Sequence, residues 1–523
     1  MIAFAKSRGF WQTSASMKKL IPIFTLALVA AGVRAALPQP DLIAQIHFAG
    51  AQNISAAANF AAFTNEFTSA EAVALRAQTA DKLSVWLAGW LQQNVGAAVP
   101  GGAAKLRPLF DDLQQAEWFL EARAAAGGRA DAAIAIKLDP ARAQLWQANL
   151  KPLFPAATFK SSGGWLIFDS GTGAQKAGDS LALKISAPQT GWFSADVNWP
   201  RLAQWYPKLK ELGLPETQFA VAAPDASLRV TGKFIFPENL ALNLENWRVP
   251  TNTIHQPFDS FTAVRGFAAW LKSQPWAQPC QLSPEPNQLF VWALPQIPYQ
   301  TFAAAPVPDA AGALAQVEAR LQPVLAAANA RDQFISPVSV LLTNREITVR
   351  GVPVVAPYFR EVNEPAGQFI LAGAFPNTPR GRTPAPGWLQ RFTEKNLVYY
   401  HWENTAERVP QLLNLSQLAL VVSRHRQLDG HSAAFNWVQK SGAVPGESIT
   451  EITQVAPDQL AFARKSPGLF TAAERFALAN WLQAPNFPGC DLKMPPLSEK
   501  LKQLRLKHPG AMPAPAPAPA PAR

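Results

Sequence analysis

Short apolar runs with a two-residue period, each leading into a helix opened by proline, recur along this chain and set what it can fold into. Asp131-Ala-Ala-Ile-Ala-Ile-Lys-Leu138 runs into Asp139-Pro140, and Trp192-Phe-Ser-Ala-Asp-Val197 runs into Asn198-Trp-Pro200. Alternation of this kind argues for strands. Proline at a helix start gives up an N–H that has no intrahelical partner. The same reading expects strands at 41–48, 117–123, 165–168, 180–185, 288–294, 338–343, 346–351, 368–373 and 397–401. Helical periodicity covers 55–95, 309–329, 405–427 and 470–483, and Gly127-Gly128 reads as a turn between strands. Proline- and glycine-rich stretches at 374–387 and 440–447 read as loops.

These elements predict an α+β chain of two related modules, 36–260 and 261–490, each mainly antiparallel sheet with packed helices. Arg142, Trp146, Leu150, Lys151 and Leu153 match Arg201, Trp205, Leu209, Lys210 and Leu212, each 59 residues later. The match reads either as an internal duplication or as two solutions to one packing problem, since Trp, Leu and Leu form a single apolar stripe. With 48% apolar and 16% charged residues, the 523-residue chain can bury a sizeable core, and wholesale disorder is excluded.

The amino terminus carries an address. Met17-Lys-Lys19 precedes an apolar run from Leu20 to Val33, followed by Arg34, Ala35 and Ala36. A short cationic segment, an apolar stretch too short to span a bilayer, and small residues at Val33 and Ala35 predict a signal peptide, 1–35, cleaved after Ala35. Either Met1 or Met17 is the true start. The expectation is an exported protein, periplasmic or extracellular, with no membrane-spanning helix once the signal is removed. The formal charge of +11 then misleads: losing five cations and no acids leaves +6, of which +4 lies in 491–523. The near-neutral body argues against a nucleic-acid partner. Residues 497–507 form a basic amphipathic stretch before a Pro/Ala spacer, together a disordered-type tail suited to peripheral contact with a membrane or another envelope component. Cys280 and Cys490, both in proline-flanked loops, either pair in an oxidising compartment or stay as separate thiols.

Trp247-Arg-Val-Pro-Thr-Asn252, Ile254-His255 and Ser260-Phe-Thr-Ala-Val-Arg-Gly266 concentrate polar groups in a charge-poor chain: Arg248, Asn252, His255, Asp259, Thr262 and Arg265. The block resembles one that recurs in large exported proteins of Verrucomicrobia-type bacteria. That resemblance implies compartment and architecture, and carries no activity or catalytic residue. Read physically, the block is either a connector whose side chains satisfy loop backbone groups or a ligand contact.

Chemical motifs are sparse. Leu166-Ile-Phe-Asp169-Ser-Gly-Thr172 is similar to the active-site loop of pepsin-like proteases, but that chemistry needs a second such loop, and Asp429-Gly430 lacks its Ser/Thr and its strand. Asp169 therefore reads as a strand end. His425 and His431 are six residues apart around Asp429, the wrong spacing for one helix face, with Arg424 and Arg426 alongside, so no metal site is expected. Gly446-Glu-Ser448 lacks the second glycine of a nucleophile elbow. His47 reads as a hydrogen-bonded core histidine. Trp86, Trp90, Trp146, Trp165, Trp192, Trp205 and Trp481 read as core, and Trp276, Trp388 and Trp402 as candidates for exposure. No catalytic residue, metal ligand or cofactor site is assigned. The expectation is a non-enzymatic envelope scaffold or binding protein with an unidentified envelope or protein partner. The alternative is an exported hydrolase whose site is assembled from distant residues, near Asp169 or the 247–266 block.

Overall fold

The computed structural model describes residues 41–488, less 57–65, 95–100, 126–128, 171–175, 188–190, 205–206, 211, 225–226, 275–281, 296–299, 331–336, 344, 353–354, 376–383, 385, 424–429 and 485–486. The predicted leader, both cysteines, His425, Asp429, Trp205, Trp276 and the 491–523 tail lie outside the described residues.

The fold is mixed α+β, built on one antiparallel sheet of 18 strands. The first eight are β1 (Leu42–Phe48), β2 (Trp118–Ala125), β3 (Arg129–Lys137), β4 (Thr158–Ser162), β5 (Trp165–Asp169), β6 (Phe193–Val197), β7 (Glu216–Ala222) and β8 (Leu228–Ile235). The last ten are β9 (Ser260–Arg265), β10 (Gln288–Ala293), β11 (Thr301–Val307), β12 (Ser339–Thr343), β13 (Glu346–Arg350), β14 (Tyr358–Glu364), β15 (Gly367–Gly373), β16 (Leu397–Asn404), β17 (Glu447–Ala456) and β18 (Gln459–Ser466). Hydrogen-bonded neighbours run 4-5-3-2-1-6-7-8 and then 18-17-16-9-10-11-15-14-13-12.

The pairing order of the first eight strands recurs in the last ten. Substituting β9, β10, β11, β14, β15, β16, β17 and β18 for β1 to β8 reproduces every pairing, and among the described residues the hairpin β12–β13 is the one addition. The two sets meet where β8 pairs antiparallel with β18, from Leu228 opposite Ser466 to Ile235 opposite Gln459. The two segments matched at a separation of 59 residues do not share a place in this scheme. The first lies in helix α4 (Pro140–Leu150), between β3 and β4, and the second in the short turns α6 (Trp199–Leu202) and α7 (Pro207–Lys210), between β6 and β7.

Helices clothe both faces, and the short helix α8 (Ala268–Ser273) follows β9. On one face lie α1 (Ala51–Ala56), α2 (Ala70–Asn94), α3 (Ala103–Gln115), α4, α9 (Ala310–Asn329), α11 (Thr405–Ser423), α12 (Ala433–Ser441) and α13 (Ala472–Gln483). Here α2 of the first half packs with α11, α12 and α13 of the second, through Ala72, Leu75, Val409, Trp437 and Ala479. Gly232 leaves the space into which Phe219 reaches, so that its ring meets Phe462 across the β8–β18 junction; a Cβ on Gly232 would sit 2.4 Å from that ring.

Among the described residues, the opposite face is covered at its two ends. Helix α5 (Lys176–Lys184) packs Ala177 and Leu181 on Phe119, Ala135 and Ile167. At the other end, α10 (Pro386–Leu389), the 3-10 turn Gln390–Thr393 and the 236–259 connector bury an aromatic cluster that includes Phe258, Phe261, Phe290, Trp292, Phe302, Tyr358, Phe369, Phe392 and Tyr400.

Several sequence expectations change. Residues 180–184 belong to helix α5 and Ile185 to the turn after it: Ala177 and Leu181, four apart, are the buried pair, and the apparent alternation of Leu181, Leu183 and Ile185 leaves Leu183 78% exposed. Trp86 lies on the outer side of α2, 45% exposed, where a core position was expected. Trp388 and Trp402 are half-buried against the aromatic cluster, Trp388 from the lid helix α10 and Trp402 from β16, directly opposite Phe261.

Candidate functional site

The polar block splits into structural anchors and one chemically poised group. Arg265 is 1% exposed and donates to four main-chain carbonyls, of Glu245, Glu394, Lys395 and Leu397, while stacking on Trp247 at 4.6 Å. It fastens the connector to the lid and to β16. The Arg248 N–H donates to Gln288, and the Asn252 N–H and Thr253 hydroxyl donate to Glu364. His255 Nδ1 lies 2.9 Å from the Thr253 carbonyl. Connector main-chain N–H groups are thus satisfied by Gln288 and Glu364, which lie outside the connector.

Thr262 does something else. It lies directly opposite His401 across the β9–β16 ladder. Thr262 Oγ1 is 2.8 Å from His401 Nδ1, and His401 Nε2 is 3.2 Å from Glu403 Oε2. Glu403 is 1% exposed; its Oε1 accepts from Thr405 Oγ1 at 2.7 Å and from the Ala472 N–H at 2.8 Å. Burial pushes the Glu403 carboxyl up, but the bonds from His401, Thr405 and Ala472 outweigh it and hold the group below its ordinary value. An ionised Glu403 accepts only, so Nε2 carries the proton and Nδ1 accepts from the Thr262 hydroxyl. Thr262 and His401 keep partial exposure. The result is a hydroxyl–imidazole–carboxylate line. His401 and Thr262 are 139 residues apart, so only strand pairing brings them together.

Beside this line, Asp259 is fully buried, with neither carboxylate oxygen hydrogen-bonded; the nearest cation is Arg408, 3.9 Å away. Burial dominates, with Glu407 adding repulsion and Arg408 opposing, and the carboxyl is pushed up to about 6.

No family model, curated protein or solved structure matches this chain.

The other sequence candidates stay apart. Asp169 ends β5 and accepts from the Gly178 N–H in the first turn of α5, anchoring a helix rather than facing a second aspartate; Thr172 lies outside the described residues. His47 stacks on Phe119 at 4.3 Å and meets Glu117 at 3.3 Å, and burial draws its pKa down against that carboxylate. Ser448 is buried, its hydroxyl unpaired, and His431 is exposed. Among the described residues, no group of three His, Cys, Asp or Glu side chains is placed to hold a metal, and no helix is long and apolar enough to cross a membrane.

One feature spans strands rather than motifs. A single row on the incompletely covered face reads Ile167, Ala135, Phe119, His47, Ser194, Ala220, Thr231, Ala463, Glu451, Tyr400, Ala263 and Phe290, each directly opposite the next. Its ends are apolar and lie beneath α5 and the aromatic lid. Its centre, from β1 to β17, is small and polar, and Thr231 and Ala463 are exposed. The neighbouring row sets Gln45, Asp196, Gln218 and Lys233 opposite one another on four adjacent strands, all half-buried. Burial, reinforced by Glu216 and opposed by Lys184, pushes Asp196 up to about 6. At strand spacing, the six central strands form a trough about 24 Å across.

Proposed function

We propose that this is an exported, non-catalytic binding protein of the cell envelope, whose two modules derive from one ancestral unit and whose central trough holds an extended polar polymer, with a glycan the best fit. The observation that carries this reading is the trough: a polar sheet face walled on both sides and floored by hydroxyls, amides and small side chains. Amide and carboxylate groups repeated at strand spacing can hydrogen-bond successive hydroxyls of a chain laid across them. The leader-like amino terminus, the near-neutral body and the resemblance to exported Verrucomicrobia-type proteins support the compartment. The basic tail supplies a second, peripheral contact with the envelope in this reading.

Purified full chain should sediment with isolated cell-wall glycan, and Thr231→Trp with Ala463→Trp should abolish sedimentation while leaving the melting temperature within a few degrees, because both positions are exposed. Sedimentation undiminished in the double variant would refute the trough.

A second reading, a hydrolase, is favoured by the line Thr262–His401–Glu403. Thr262 Oγ1 would attack an ester carbonyl as its proton passes to His401 Nδ1. Glu403 would steady the imidazolium, which then protonates the departing alkoxide. Water, deprotonated by the same imidazole, would release the acid and restore the hydroxyl. On this reading, ester turnover falls at least about a hundredfold in Thr262→Val and in His401→Gln, and survives in Thr262→Ser. Turnover unchanged in both disabling variants would leave the line a purely structural tie between β9 and β16.

A further inference from the structure

We infer that the outer edge of β12 is a self-association surface, through which a second copy of this chain pairs across a two-fold axis. The sheet has two outer strands, β4 and β12; among the described residues each pairs with one neighbour only. They are guarded differently. Strand β4, Thr-Phe-Lys-Ser-Ser, carries Lys160, which reaches Asp179. Strand β12, Ser-Val-Leu-Leu-Thr, has no charge and no proline, the devices that ordinarily keep an open edge from pairing. It belongs to the one hairpin that the first eight strands lack.

The apolar layer under α9 stops abruptly at this edge. Val340 and Leu342 face the same side as Val349 and Ile347, their ladder partners. Ile347 and Val349 are buried, whereas Leu342 at the rim is 52% exposed. The neighbour that would finish this layer is another apolar strand.

A second copy supplies it in register. In an antiparallel β12–β12 pair centred on Leu341, Val340 of each strand lies opposite Leu342 of the other, and Ser339 lies opposite Thr343. Every pair joins like with like, and no charge meets a like charge across the axis. The chain already extends its sheet in this manner: β8 and β18, the last strands of the two repeated sets, join edge to edge and antiparallel. Five residues make a small contact, so the dimer is expected to be weak and concentration-dependent.

The test uses the full processed chain in sedimentation velocity over a wide concentration range. A monomer–dimer equilibrium is expected, with Leu342→Glu weakening it at least about tenfold by burying a charge in the apolar layer. Independently, with Cys280 and Cys490 replaced by serine, Leu341→Cys should give a disulfide-linked dimer on mild oxidation, since Leu341 faces itself across the axis. Ser339→Cys, which faces Thr343, should not. A wild-type monomer at all concentrations, a dimer indifferent to Leu342→Glu, or equal crosslinking by the two cysteine variants would overturn the inference.

Discussion

Replacing Arg475 by methionine is expected to destabilise the protein by about 3–5 kcal/mol, the cost of stranding one member of a buried ion pair. Arg475 is 1% exposed and pairs with Glu66, itself 3% exposed. The guanidinium also donates to the main-chain carbonyls of Phe470, at 2.9 Å, and Ser441, at 2.6 Å. Glu66 in turn accepts from the Leu469 N–H at 2.9 Å. The pair thus binds the segment before α2 to α12 and to the turn that enters α13. Burial pushes the Glu66 carboxyl above its ordinary value even though Arg475 pulls it down, so desolvation already exceeds attraction before the arginine is lost. Without Arg475 the carboxyl must protonate or draw in water, and two carbonyls lose their donor. Replacing both residues by methionine should recover most of the loss, because a packed apolar pair carries no desolvation cost. Chemical denaturation of the single and double variants checks this; a single-variant loss below about 1 kcal/mol would show that the pair is not a structural tie.

Asp259→Asn is expected to act in the other direction and only above acidic pH. The folded carboxyl sits at about 6 against about 4 in the unfolded chain, so folding favours its protonated form. Below pH 4 both states are protonated and the group costs nothing. As pH rises from 4 to 6 the unfolded chain ionises first, and stability falls. Above pH 6 the fully buried carboxylate costs roughly 3 kcal/mol, from two pH units at 1.36 kcal/mol each. Asparagine removes that cost but also the charge facing Arg408, so a net gain of about 1–3 kcal/mol at pH 8 is expected, vanishing at pH 4. Thermal unfolding of wild type and variant at the two pH values provides the measurement. Asp196, also pushed up to about 6, gives both proteins the same background trend, and the difference between them isolates Asp259. A loss of stability at pH 8 would mean that the Arg408 contact outweighs desolvation.

The parts of the fold that could be read from the sequence rest on local physics. Asp139 caps α4 by accepting from the Arg142 N–H, and Pro140 opens that helix; both signals lie within four residues. Alternating strands such as Phe193-Ser-Ala-Asp-Val197 bury Ala195 and Val197 on one face and leave the other half-open, a pattern carried in the chain itself. Strands β4, β7, β8, β9, β11, β14, β17 and β18 are not among those expected from the sequence, although β17 runs to ten residues and β8 and β18 to eight, so length alone does not make a strand legible. Residues 180–185 were misread because five or six residues can satisfy both periods, and only the sheet beneath α5 selects the helical one.

What the sequence by itself determined is the alternation of strands and helices, the α+β class, the capped helix starts and the leader-like terminus, because each depends on residues a few positions apart. The tertiary structure alone decided the rest. It decided which strand pairs with which, and hence that Thr262 meets His401, that Glu66 meets Arg475 and that, among the described residues, a polar sheet face lies between two apolar lids and β12 pairs on one side alone. Those contacts join residues up to about 400 positions apart, where chain entropy erases local signals. They exist only because one sheet, closing antiparallel at β8 and β18, holds both halves in a single register.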